Sequence, residues 1–253
     1  MYLELILIYI TIFIFGITIG SFLNVCIYRI PEKKTVVTDR SHCMKCGYQL
    51  AWYDMFPVLS WLALGGKCRK CKEPISAQYP IIEALNGIFY TIIFMANGLN
   101  IHSVIYCLLT SALIVLSVID WRTYEIPICI INFILVLGIL ETIIDHKNWI
   151  NHVIGFLSVS ILLWIIYQVS NGSAIGGGDV MLMAVAGLVI GWKNIILAFL
   201  LGCIAGSVIH IIRMKVSGAN RVLAMGPYLS VGIFIAALWG NRMISWYLNS
   251  LGL

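Results

Sequence analysis

Two carboxylates and four thiols are the residues of this chain whose types and spacing could do chemistry. Asp120 stands in Ser117-Val-Ile-Asp-Trp-Arg-Thr-Tyr-Glu-Ile-Pro127, at the end of one apolar run. Asp179 stands in Gly176-Gly-Gly-Asp-Val-Met-Leu-Met183, at the start of another. A carboxylate at a membrane boundary is costly, and an ionisable group there is a functional hypothesis by default. Two of them on one side of a bilayer suggest an acid/base pair. Taken singly, each has a plainer reading. Asp179 is then a helix N-cap that accepts orphan backbone N–H groups, and Asp120 a boundary charge paired with Arg122.

The thiols form two pairs, Cys43-Met-Lys-Cys46 and Cys68-Arg-Lys-Cys71, with twenty-one residues between them. Each CxxC turn can aim two thiolates at one ion, and two such turns complete a tetrahedral site. Gly47 and Gly66 flank the pairs and suit tight knuckle turns. A closed four-cysteine site leaves no open position for water, so the metal, structural zinc, would fold the loop and not hydrolyse anything. Cys26, Cys107, Cys129 and Cys203 stand singly in apolar runs and read as buried small hydrophobes.

The elements that must position these groups are membrane helices. The 253 residues are 61% hydrophobic and only 11% charged, with mean hydropathy +0.97. A soluble domain carries roughly a quarter charged residues. Apolar segments lie near 4–28, 80–97, 102–119, 126–144, 150–169, 180–191, 194–212 and 226–248. This predicts an all-α polytopic protein of about eight spans, the sixth short enough to be re-entrant. The first segment lacks a basic n-region, carries Glu4 and shows no small-residue cleavage site, so it reads as a retained span. The expected organisation is a first transmembrane helix over 1–28, a zinc-ribbon-like insert over 29–79, and a multi-helix membrane domain over 80–253.

Orientation follows from the cations. Arg29, Lys33, Lys34, Arg40, Lys45, Lys67, Arg69, Lys70 and Lys72 lie in the insert, Arg122 follows the third span, and Arg213, Lys215 and Arg221 precede the eighth. If eight spans alternate, these share one side and only Lys147, Lys193 and Arg242 fall on the other. The positive-inside rule then places the insert and both aspartates in the cytoplasm, with both termini outside. The net charge of +5 is distributed as a membrane protein distributes it, and nothing in it suggests nucleic acid.

Six segments, in order, resemble the type IV prepilin peptidases, integral-membrane aspartyl peptidases of the GxGD type. They are Gly20-Ser-Phe-Leu-Asn-Val-Cys-Ile-Tyr-Arg-Ile-Pro31, Tyr53-Asp-Met-Phe-Pro-Val-Leu-Ser-Trp61, Tyr79-Pro-Ile-Ile-Glu-Ala-Leu-Asn-Gly87, Asp120 with Pro127, Gly176-Gly-Gly-Asp179, and Met225-Gly-Pro-Tyr-Leu-Ser-Val-Gly232. Two positions depart from the family's pattern. Ile128 stands where an acidic residue is usual, and Met181 where a lysine is usual.

The resemblance implies an aspartic endopeptidase of the cell (inner) membrane with Asp120 and Asp179 as its catalytic pair. Its substrates would be type IV prepilins or related pseudopilins, cut after a short basic cytoplasmic leader. It also implies that members with the cysteine-bearing insert methylate the new N-terminus with S-adenosylmethionine. The sequence by itself shows no cofactor site, there being no Rossmann-type glycine fingerprint. Asp54 and Glu83 are the candidate cofactor-binding residues, each with a plainer reading: a solvated loop charge, and an acid complementing a helix N-terminus. Trp52, Tyr53, Phe56 and Trp61 read as headgroup-level anchors of the insert. Gly202 and Gly206 permit close helix approach within the chain. Two rival readings stay open. A proton-coupled transporter would show matched repeats around its acids, and no repeat of the Asp120 motif surrounds Asp179. A GxGD intramembrane protease of another branch would not need the four-cysteine insert.

Overall fold

The computed structural model describes residues 2–37, 40–217 and 223–252; Arg221, one of the cations counted above, lies outside them. The described residues form α1 (Tyr2–Arg29), a short α2 (Leu59–Ala63), α3 (Gln78–Asn97), α4 (Ile101–Thr123), α5 (Ile128–Ile144), α6 (Trp149–Val169), α7 (Gly177–Ile190), α8 (Trp192–Ser217) and α9 (Gly226–Ser250). No named strand occurs among them, only two isolated bridges. Five helices, α1, α3, α4, α6 and α8, are long and apolar enough to cross a membrane, and α5 and α7 are shorter apolar helices.

Two helix boundaries move relative to the hydropathy reading, and both matter. Helix α4 continues to Thr123, where Tyr124 takes a left-handed cap at φ 56° and returns its N–H to Asp120 O. Asp120 is therefore inside the last turn of the helix, not beyond it. Helix α7 begins at Gly177, with Gly176 as N-cap, so Asp179 is its third residue and not a cap. Hydropathy marks where apolar residues stop, whereas hydrogen bonding carries the helix on through polar ones.

The chain divides into two compact units, residues 1–99 and 100–253. In the first, α1 and α3 pack antiparallel with backbones in near contact. A Cβ added at Gly16 would lie 2.7 Å from Gly87 Cα, and one at Gly20 2.7 Å from Glu83 Cα. Lipid is as apolar as leucine, so membrane helices associate where small residues let dispersion contacts and hydrogen bonds form. Here the hydrogen bonds are Asn86 Nδ2 to Gly16 O at 2.7 Å and Asn24 Nδ2 to Tyr79 O at 3.1 Å. The pattern Gly16-x-x-x-Gly20 was the available signal for this interface.

In the second unit, α7 is the inner helix. It packs against α5, α6, α8 and α9, and Leu182, Met183, Ala186 and Val189 have no exposed surface. At fourteen residues it spans only about 21 Å. Gly191 ends it with φ +80°. Glycines again set the close crossings. A Cβ on Gly155 would collide with the Gly187 carbonyl, and one on Gly187 with the Gly155 carbonyl. Gly202 and Gly206 lie against Leu229 and Tyr228 of α9, which is the packing within the chain expected for them. At the N-terminal end of α4, His102 Nδ1 meets the buried Glu141 of α5 at 2.7 Å. That end lies about 27 Å along α4 from Asp120. Of the single cysteines, Cys107 is buried, Cys26 and Cys203 half-buried, and Cys129 exposed on α5, contrary to the buried reading.

Candidate active site and metal centre

Three helix ends meet around the two aspartates. Asp120 is buried in the last turn of α4. Its Oδ2 accepts the Gly226 N–H at 2.8 Å, from the first residue of α9. Asp179, in the first turn of α7, accepts the N–H of its own N-cap, Gly176, the half of a capping box in which the third residue reaches back. Each carboxylate thus engages an orphan donor at a helix N-terminus, where such donors have no partner within the helix. The two groups lie close enough for their charges to act on each other.

Backbone packing sets this geometry. Gly178 presses the start of α7 against Ile126 in the loop after α4, where a Cβ would lie 2.9 Å from Ile126 Cβ. Gly226 fits under Asp120 because it has no side chain: a Cβ there would lie 2.7 Å from Oδ2 and 3.0 Å from Leu116 Cδ2. Beside Asp120, Trp121 carries the Arg213 guanidinium 4.4 Å above its ring. Ile128 and Met181, the two departures from the family pattern, are both exposed. The hydrogen bond from Gly226 was not legible in sequence, since it joins positions 106 residues apart through a backbone atom.

The four cysteines of the insert converge. Their sulfurs all lie within 4.8 Å of one another, with Cys43 to Cys71 at 3.8 Å and Cys46 to Cys68 at 4.0 Å. A tetrahedron built on zinc–sulfur bonds of about 2.3 Å has edges of about 3.8 Å. The set fits a four-thiolate metal site. The two turns that carry it are copies. Cys43 N–H bonds Tyr48 O and Gly47 N–H bonds Cys43 O; equivalently, Cys68 N–H bonds Glu73 O and Lys72 N–H bonds Cys68 O. The left-handed position is Gly47 in the first knuckle and Lys72 in the second. Gly66, expected to serve the second turn, instead makes room for Trp61. Backbone N–H groups of Cys46 and Lys45 pull the Cys43 thiol down to about 6. Cys71 receives the Glu73 N–H, yet partial desolvation and the three neighbouring sulfurs push it up to about 11.

Asp54 is not a solvated charge. Its carboxylate accepts Arg69 Nε at 2.7 Å, Tyr48 Oη at 3.1 Å and Ala51 N–H at 3.3 Å. Burial opposes its charge, but these three donors together hold the carboxyl below the usual carboxylate range. It ties the segment after the first knuckle to the second knuckle. Glu83, buried in α3, accepts the Val58 N–H at 2.7 Å through Oε2. Both candidate cofactor residues are therefore engaged within the protein. Trp61 is also turned inward: its indole N–H donates to Ile75 O at 3.1 Å.

Comparison with known proteins bears on both regions. The model of the bacterial peptidase A24 N-terminal domain matches residues 14–97, which hold the four cysteines. The model of the type IV leader peptidase family matches residues 107–211, which hold both aspartates. A protein of Myxococcus xanthus, named prepilin leader peptidase/N-methyltransferase, is 32% identical over 212 residues, covering 82% of this chain and 63% of the relative. Proteins of the same name from Pseudomonas putida and Aeromonas salmonicida are each 28% identical, covering 94% and 95% of this chain and 93% and 94% of the relatives. No solved structure matches the chain. With both family models in chain order on the two regions that carry the cysteines and the aspartates, the chain belongs to the type IV leader peptidase family.

Proposed function

We propose that this chain is a prepilin leader peptidase that cuts type IV prepilins or pseudopilins at the inner face of the cytoplasmic membrane, with Asp120 and Asp179 as its catalytic pair. The observation that carries the reading is the meeting of these two carboxylates, from different helices, at one end of a membrane bundle. Carboxylates that interact this closely share one proton near their working pH. One takes a proton from water as general base, and its protonated partner polarises the scissile carbonyl and stabilises the tetrahedral intermediate. The titration belongs to the pair, so base and acid are not divided between the two residues. Gly226 N–H holds Oδ2 of Asp120 and so fixes the orientation of its carboxyl group.

In this reading α1 and α3 to α9 form a bundle of about eight spans, the short α7 as its inner member, with both termini outside. The aspartates and the insert are cytoplasmic, so the substrate is a membrane-inserted protein with a short cytoplasmic leader. Cys43, Cys46, Cys68 and Cys71 hold zinc, which supplies folding energy to the insert and takes no part in hydrolysis. The names of the relatives support a second activity, methylation of the new N-terminus from S-adenosylmethionine. Asp54 and Glu83 stay the candidate residues for that cofactor, each already accepting a hydrogen bond from the insert, from Arg69 and from Val58. No step is derived through it.

The test is mass spectrometry of a prepilin co-expressed with the wild type, with Asp120→Asn or with Asp179→Asn. A leader-sized loss with the wild type alone supports the pair, and one added methyl group on the product supports the second activity. Full cleavage by either variant refutes the catalytic pair.

A further inference from the structure

The insert presents an apolar edge that its own fold leaves uncovered. Trp52 is 71% exposed, Phe56 52%, Leu59 65% and Leu62 60%. Trp52 and Phe56 rings lie edge to face at 5.9 Å, and Leu59 and Leu62 stand three residues apart on α2, hence on one side of that helix. The neighbouring aromatic residues do other work. Trp61 packs on Gly66 and bonds Ile75 O, and Tyr53 lies under the Arg69 guanidinium at 5.0 Å. The four uncovered residues therefore fall within one short stretch, residues 52–62.

One hydrogen bond ties this edge to α3. Glu83, the sixth residue of α3, holds the Val58 N–H. Five residues of helix are about 7.5 Å, so Val58 sits within reach of the second turn of a membrane-crossing helix. At that level α1 and α3 already expose apolar side chains, Phe22 at 49% and Ile81 at 53%. Val58 itself is held at φ 60°, ψ −50°, with Leu59 N–H bonding Pro57 O, a γ-turn that a β-branched residue adopts only under constraint. The insert as a whole is basic. Residues 29–79 carry nine Lys and Arg against Glu32, Asp39, Asp54 and Glu73.

We propose that residues 52–62 form an interfacial wedge, with Trp52, Phe56, Leu59 and Leu62 docked into the anionic headgroup layer of the bilayer that α1 and α3 cross. An apolar face flanked by lysine and arginine is the pattern that binds such surfaces, and each basic residue near an anionic leaflet adds attraction that salt screens. The wedge fixes the metal knuckles at a set height above the membrane. Such docking would hold whether or not the chain cuts prepilins.

The experiment places a photoreactive benzoylphenylalanine at position 59, 62 or 44 of the full-length protein in nanodiscs. Met44, 84% exposed in the first knuckle, is the reference position. Irradiation in phosphatidylglycerol discs is expected to give lipid adducts at 59 and 62, several-fold above position 44 and above those in phosphatidylcholine discs. Equal labelling at all three positions overturns the proposal. So does an added prepilin that takes the adducts from 59 and 62, which would make the edge a polypeptide site. As a second readout, Leu59→Ser with Leu62→Ser should speed amide exchange of residues 56–63 in phosphatidylglycerol discs and leave zinc content unchanged. Unaltered exchange also overturns it.

Discussion

The hydrogen bond from Val58 to Glu83 can be removed by one substitution, and its strength can be bounded. The acceptor is buried, the contact is 2.7 Å, and it holds a backbone conformation that costs of order 1–3 kcal/mol for a non-glycine residue. A bond from an amide to a buried carboxyl group contributes about 1–3 kcal/mol net. The bond and the strain are thus of similar size, and the turn persists because the bond offsets the strain. Glu83→Ala should release the turn and raise the exchange rate of the Val58 amide roughly 5- to 150-fold, the same free energy expressed as an opening equilibrium. Glu83→Gln keeps an acceptor and should fall nearer the lower end. The assay is hydrogen exchange with mass spectrometry on peptides spanning 55–63, in one detergent or lipid for all variants. Unchanged exchange in Glu83→Ala would refute the reasoning and return Glu83 to the list of free acceptors for a cofactor. A loss of methylation in Glu83→Gln with native exchange would point the same way.

Three further predictions follow from particular contacts. Gly226→Ala puts a methyl group 2.7 Å from Asp120 Oδ2 and 3.0 Å from Leu116 Cδ2. One of these atoms must move, and cleavage rate should drop by more than about tenfold while the variant still inserts; a wild-type rate would show that the Gly226 contact does not position Asp120. In metal-stripped protein, Cys43 is a thiolate above about pH 6, whereas an unperturbed thiol ionises near 9. Iodoacetamide at pH 7 should therefore label Cys43 before Cys71, which is pushed up to about 11. The Cys43 rate should fall as pH drops through about 6, and zinc should protect all four thiols. Chelation of the metal should raise tryptic cleavage within residues 40–75 and leave α4 to α9 intact, because the knuckles and the aspartates belong to separate compact units; melting of the second unit on chelation would contradict that independence.

Several features were legible without coordinates because they depend on local chemistry. The eight apolar segments each fall on a helix, and five of those helices are long and apolar enough to cross a membrane. The CxxC spacing announced a four-thiolate cluster, because two short turns with paired thiols can complete one tetrahedral site. Gly176 to Asp179 announced a helix start. The family followed from six motifs in order, and both family models bear it out.

What only the tertiary structure decided are contacts made by backbone atoms or by residues far apart in the chain. Asp54 looked like a loop charge and is the buried link between segment and knuckle, because Arg69 lies fifteen residues away along the chain and 2.7 Å away in space. Trp61 looked like a headgroup anchor and is turned inward by Gly66 and Ile75. The donor to Asp120 is a glycine amide from another helix, and an amide carries no signature in the side-chain alphabet. Sequence periodicity and spacing report which side chains a local element presents. They do not report which backbone groups a distant element brings to meet them, and in this bundle glycine crossings without side chains determine that.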